Sequence, residues 1–165
     1  MISLVIVFFD LIDEFDLIVN RETITFAMCY AHLSIFKNKT LEIMQTKKKT
    51  LVFGASLNPS RYSNTAMHRL VASGHDVVAF GLKEGEVAGI KIDTELISYN
   101  GIDTVTLYMN PTRQEPFYDH LISLKPNRVI FNPGTENPEF FELLSQAKIE
   151  FETACTLVLL GTNQY

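Results

Sequence analysis

The chain has 165 residues, 47% of them apolar and 20% charged, a length and balance that suit one globular domain. A formal net charge of -5 argues against a nucleic-acid surface, which would be basic. Two distant cysteines, Cys29 and Cys155, without CxxC spacing argue against a disulfide scaffold and fit a reducing cytoplasm, and four scattered histidines form no metal-binding signature.

The first 43 residues stand apart. Ile2–Phe9 is a largely apolar run, too short to span a bilayer, and Asp10, Asp13, Glu14 and Asp16 follow at once. The run lacks the basic start and small-residue cleavage site of a signal peptide. Residues 1–43 therefore read as an atypical N-terminal extension, either lying upstream of a natural start at Met44 or packing poorly. The competing reading is a genuine extra helix or strand at an oligomer contact, such as that of a homodimer. Residues 44–165 read as a complete fold without it.

From Thr50 the chain alternates strands with helices. Thr50–Phe53 is the first predicted strand, and Ser63–Ser73 the first helix, with Ala66, Leu70 and Val71 on one face and Gly74 as its stop. Asp76–Phe80 is a buried second strand, followed by a loop over Gly81–Gly89 and a short extended piece at Lys91–Ile92. Thr104–Met109 is the third strand, Pro116–Leu124 the second helix, Arg128–Phe131 the fourth strand and Glu139–Ala147 the third helix. A short edge strand at Glu150–Glu152 and a helical or extended segment at Cys155–Leu160 close the chain. Such alternation implies βαβ units and predicts an α/β fold, a Rossmann-like three-layer αβα sandwich with a parallel sheet.

In such a sheet the ligand sits beyond the C-terminal strand ends. That rule selects one rim: Gly54-Ala55-Ser56, Gly81-Leu82-Lys83, Asn110-Pro111 and Asn132-Pro133-Gly134. The first turn is the most informative. A strand, a small-residue turn and a helix start in that order make a phosphate cradle, because the first helical N–H groups have no internal partner and the helix dipole adds positive charge. Gly54 permits close backbone approach, Ser56 and Ser63 bring hydroxyl donors, and Arg61 can fork onto a phosphate. The usual GxGxxG dinucleotide fingerprint is absent, and strand two runs into Lys83 instead of a ribose-binding acid. A cation there suits a ligand with an extra phosphate on its adenosine ribose: NADP, with a 2′-phosphate, or coenzyme A, with a 3′-phosphate.

The run LVFGASLNPSRYSNTAMHRLVASGHDVVAFG, then TVTLYMNP, then KPNRVIFNPGTEN and the late Cys155 resemble the small stand-alone CoA-binding protein family. That family is itself similar to the Rossmann-type CoA-binding domain of the succinyl-CoA synthetase alpha subunit. The resemblance covers roughly Lys48 to the C-terminus. It implies that Gly54, Ala55, Ser56 and Asn58 face the CoA diphosphate, with Arg61 and Ser63 adding contacts from the helix start. It places Lys83 near the ribose 3′-phosphate, Asn110 and Pro111 on the adenine or pantetheine side, and Asn132, Pro133 and Gly134 on the other wall. The synthetase's phosphohistidine-bearing ligase domain and its ATP-grasp partner are not expected to accompany this domain.

No catalytic set can be assembled. His68 falls inside the first helix and His75 follows its stop, both reading as structural, and no Ser-His-Asp order can be placed. Cys155, at a helix start, is the one candidate nucleophile, set against a buried inert thiol. The function expected is a non-catalytic CoA or acyl-CoA binding module acting as carrier, sensor or regulator. The expected partner is the small molecule, with no nucleic acid and no membrane. The alternative is a small NADP-binding oxidoreductase.

Overall fold

A computed structural model of the chain describes residues 47–165, so the extension expected over residues 1–43 lies outside the described residues. In chain order the elements are β1 (Lys49–Ala55), α1 (Tyr62–Ala72), β2 (Asp76–Gly81), β3 (Gly85–Val87), β4 (Ile90–Asp93) and β5 (Thr104–Leu107). Two 3-10 turns, Pro111–Arg113 and Glu115–Phe117, lead into α2 (Tyr118–Ser123). β6 (Arg128–Phe131), α3 (Pro138–Gln146), β7 (Glu150–Thr153) and α4 (Thr156–Gly161) complete it.

The strands form one sheet in the order β3-β4-β2-β1-β5-β6-β7. Neighbours pair in parallel except at one edge, where β3 and β4 run antiparallel. The sheet is thus mostly parallel, as expected, and the loop predicted over Gly81–Gly89 is corrected to an antiparallel edge hairpin. The physical reason is a two-residue hairpin turn at Ala88 (φ 55) and Gly89 (φ 78), both in the left-handed region, as a type I′ turn requires. Two smaller corrections follow the same logic of local turns. The second helix begins as 3-10 turns because Pro116 has no N–H to donate to the carbonyl four residues back, so a regular α-helix cannot run through it from Pro111. The third strand leaves the ladder at Leu107, two residues early.

β1 lies at the centre, and its alternating side chains feed two cores. Leu51 and Phe53 join Val105, Leu107, Val129 and Phe131 beneath α2 and α3, whose Tyr118, Leu121, Phe140 and Leu144 complete that layer. Val52 joins Val77, Ala79 and Ile92 beneath Met67 and Leu70 of α1, with Leu160 of α4 and Tyr165 packed on the same face. Helices therefore cover both faces, and the three-layer αβα sandwich holds.

The order of the sheet positions the site. From β1 the chain builds outward through β2 and the β3–β4 pair, then returns to β5 on the other flank of β1. The direction of winding reverses between β1 and β5, and in an open α/β sheet ligands bind beyond the strand ends at such a switch.

Candidate functional site

Two glycines let the strand ends close on one another at the switch. β1 bulges at Gly54, between the pairs Phe53↔Phe80 and Ala55↔Gly81. Gly54 has φ +97, and a Cβ there would lie 2.9 Å from the Tyr108 carbonyl carbon and 3.0 Å from the Met109 amide nitrogen. A Cβ on Gly81 would strike the Ala55 carbonyl oxygen. The end of β1 is therefore wedged between β2 and the segment after β5, with main chain exposed where side chains would otherwise stand.

Beyond this wedge opens a cleft of about 790 Å³. Its floor is the turn Gly54-Ala55-Ser56, and the loop through Asn58 to Ser63 forms one side. That loop is braced by its own polar groups. The Ser60 N–H donates to Asn58 Oδ1 at 2.9 Å, the Asn58 N–H to Ser56 Oγ at 3.2 Å, and buried Asn64 donates from Nδ2 to the Ser56 carbonyl at 3.0 Å. Asn58 thus spends its oxygen on the turn and keeps its amide protons, and Ser56 keeps its hydroxyl proton. Both remain donors, as an anion requires. At Arg61, the N-cap of α1, no side chain caps the helix and no acid stands in its first turn. The positive end of the helix is left for a ligand.

Among the described residues three cations line the cleft, Arg61, Lys83 and Arg113, and no carboxylate does. The two acids next to Lys83 in sequence are elsewhere, since Glu84 pairs with Lys91 at 3.2 Å and Glu86 lies on β3 outside the cleft. In a chain of net charge -5 this is a local inversion of sign.

Of the residues predicted for the site, ten line the cleft: Gly54, Ala55, Ser56, Asn58, Arg61, Ser63, Lys83, Asn110, Pro133 and Gly134. Pro111 and Asn132 do not. Asn132 is buried, and its amide is used internally. Nδ2 donates to Thr106 Oγ1 at 2.7 Å and to the Leu107 carbonyl at 3.0 Å, while Oδ1 accepts the Thr156 N–H at 2.9 Å. It pins β5, β6 and α4 together instead of facing a ligand. Pro111 opens the 3-10 turn that carries Arg113 into the cleft.

The lining also includes Leu82, which the strand-end rule placed on the rim, and Leu57, Tyr62, Tyr108, Met109 and Thr135, which sequence reasoning did not select. Leu82 and Tyr62 are 71% and 76% exposed, apolar surface at the rim suited to a flat ring. Tyr108 turns its hydroxyl away from solvent beside Thr106 and Thr156 without a hydrogen bond of good geometry. Burial pushes its pKa up to about 12, outweighing the opposite pull of the two threonines. Cys155 is the N-cap of α4, half-buried and free, and does not line the cleft.

These features define a class: a Rossmann-like α/β domain with a cation-lined cleft at the switch point of its sheet. The chain belongs to the CoA binding domain family, whose model matches residues 48–161. Among solved structures it is similar to an uncharacterized protein at 48% identity, TM-score 0.71, with 72% of this chain and 98% of that one covered. It is also similar to a hypothetical protein from Pyrococcus horikoshii OT3 at 26% identity and TM-score 0.63, covering 73% and 87% of the two chains. A Thermus thermophilus protein shares the fold at 19% identity and TM-score 0.65, covering 78% and 98%. No curated protein matches the chain. The comparisons thus carry the CoA-binding domain and not the narrower likeness to the synthetase subunit. No helix among the described residues is long and apolar enough to cross a membrane.

Proposed function

We propose that the cleft holds CoA or an acyl-CoA and that the protein is a binding module, a carrier, sensor or regulator, that does not itself turn the thioester over. The CoA diphosphate lies over Gly54-Ala55-Ser56 and the start of α1, within reach of Arg61. The ribose 3′-phosphate lies at Lys83, where strand two ends. One observation carries this reading: among the described residues, an uncapped helix start and three cations, with no carboxylate, line a single cleft in a member of the CoA binding domain family.

The oxidoreductase alternative needs an acid–base group beside the nicotinamide. Two phenols line the cleft: Tyr62 stands exposed at its rim, and Tyr108 is the wrong kind of group for that task. Its pKa is raised by burial, whereas a tyrosine working as a base near neutral pH requires the reverse. Among the described residues the cleft presents no thiol, because Cys155 lies outside its lining.

Thermal shift and calorimetry with CoA, acetyl-CoA, dephospho-CoA, NADP and NAD test the proposal. CoA at a hundredfold excess over its Kd stabilises by about 2.7 kcal/mol. Arg61→Ala weakens CoA binding by about 1.5–3 kcal/mol, the range for a hydrogen bond to a charged group. Stabilisation by NADP and not by CoA, or steady turnover of acetyl-CoA by pure protein, overturns the reading.

A further inference from the structure

We propose that Gln114 is a positioning residue that fixes the distance between the two flanks of the cleft along which the pantetheine half of CoA lies. The inference rests on the CoA reading above and adds a residue that touches no ligand. Gln114 is fully buried between the two 3-10 turns and does not line the cleft. Its Nε2 donates to the Met109 carbonyl at 2.8 Å and to the Thr135 carbonyl at 2.8 Å. Both of these residues line the cleft. Met109 follows β5 and Thr135 follows β6, and the last ladder pair joining those strands is Leu107↔Phe131. Beyond that pair the two segments diverge into separate loops, and the Gln114 amide ties them together.

The strut is fully satisfied and held in one orientation. A glutamine amide offers two protons and one oxygen. Both protons go to the two carbonyls, and Oε1 accepts from Asn137 Nδ2 at 3.0 Å. Turned over, the amide would set its oxygen against two carbonyls. Asn137 is locked in turn, donating from Nδ2 to the Tyr118 hydroxyl at 2.6 Å and accepting the Phe140 N–H on Oδ1 at the start of α3. A buried network with every member paired is rigid. It also fixes the 3-10 turn that brings Arg113, the residue before Gln114, to the cleft.

The position of the strut makes its effect selective. Lys83, Arg61 and the start of α1 stand on the β1–β2 side, where the nucleotide half is placed. The pantetheine half then crosses toward β5 and β6, between the segments that Gln114 joins. Loosening the strut therefore costs the ligand that spans both sides and spares the one held on the first side alone.

The experiment compares the Kd of CoA with that of adenosine 3′,5′-bisphosphate, by calorimetry, in the full-length protein and in Gln114→Met, which keeps length and removes all three hydrogen bonds. CoA is expected to weaken at least tenfold and the bisphosphate by less than threefold. A variant that still folds and loses both ligands equally, or neither, overturns the proposal while leaving the CoA reading intact. Wild-type protein that binds neither ligand overturns both. Should Gln114→Met fail to fold, Asn137→Ser serves instead: it keeps a capping oxygen for α3 and deletes the amide donor to Gln114. A smaller loss with the same selectivity supports the strut, and equal losses for the two ligands overturn it.

Discussion

Replacing Gly54 by alanine separates two costs that a glycine at a strand end hides. The first is conformational. At φ +97 a Cβ crowds its own backbone, for about 1–2 kcal/mol. The second is steric, because the new methyl would sit 2.9–3.1 Å from the Tyr108 and Met109 main chain. Backbone at the end of β5 cannot swing aside as a side-chain tip can, so overpacking adds about 1–3 kcal/mol. Gly134 supplies the control. Its φ is +86, yet a Cβ there meets nothing within 4 Å, so Gly134→Ala carries only the first cost. The entropy that alanine removes from the unfolded chain is shared by the two variants and cancels in the comparison. Urea unfolding should therefore place Gly54→Ala about 1–3 kcal/mol below Gly134→Ala, with unchanged m-values. Still-folded Gly54→Ala should also bind CoA more weakly, because the methyl enters the cradle floor. Equal destabilisation of the two variants, within about 0.5 kcal/mol, would refute the close approach of β1 to the segment after β5.

Four further outcomes are expected. Lys83→Ala weakens CoA more than dephospho-CoA in calorimetric titrations, since only CoA carries the ribose phosphate; equal losses remove Lys83 from that role. Asn132→Ala leaves the buried Thr156 N–H and Leu107 carbonyl without partners, at about 1–3 kcal/mol each in chemical unfolding, while the CoA affinity of the folded fraction stays near wild type. Stability falls on acidification below His75's ordinary pKa of 6.5. Burial, then Lys48 and Arg128, lower that pKa in the fold, so the unfolded chain takes up the proton first, and melts of His75→Gln should show a shallower loss over the same pH range. A chain beginning at Met44 keeps the wild-type Tm and CoA affinity; an insoluble truncation would show that residues 1–43 complete the fold.

Much of the fold was legible because its central strands are chemically extreme. Leu51, Val52 and Phe53 in β1, and Val129, Ile130 and Phe131 in β6, are fully buried, so they read as unbroken apolar runs between polar turns. The bounds expected for β6 match those observed. The β3–β4 hairpin was illegible for the opposite reason. Its strands are three and four residues long and half exposed, and an alanine occupies a left-handed turn position where asparagine or glycine would have signalled the reversal. Tertiary context imposes that conformation on Ala88, with Val87 and Ile92 buried against the neighbouring strand and helix.

The site divides along a related line. Residues on the first turn could be selected because strand, glycine and helix start occur there in one continuous stretch, and the strand-end rule extended the selection to Asn110, Pro133 and Gly134. That rule names positions and not directions, which is why it also took Asn132. An asparagine after a buried strand reads identically whether its amide faces a ligand or, as here, closes bonds to Thr106, Leu107 and Thr156. Arg113 escaped for want of any periodicity to follow, since a proline-led 3-10 turn carries it to the cleft. Gln114 escaped because its use depends on two carbonyls twenty-six residues apart in sequence, at Met109 and Thr135, which only the packed sheet brings within reach of one side chain. The cradle is a property of local sequence. The width of the cleft is a property of the tertiary fold, so variants on the first turn should change how strongly phosphate is held, and variants around Gln114 should change which length of ligand fits.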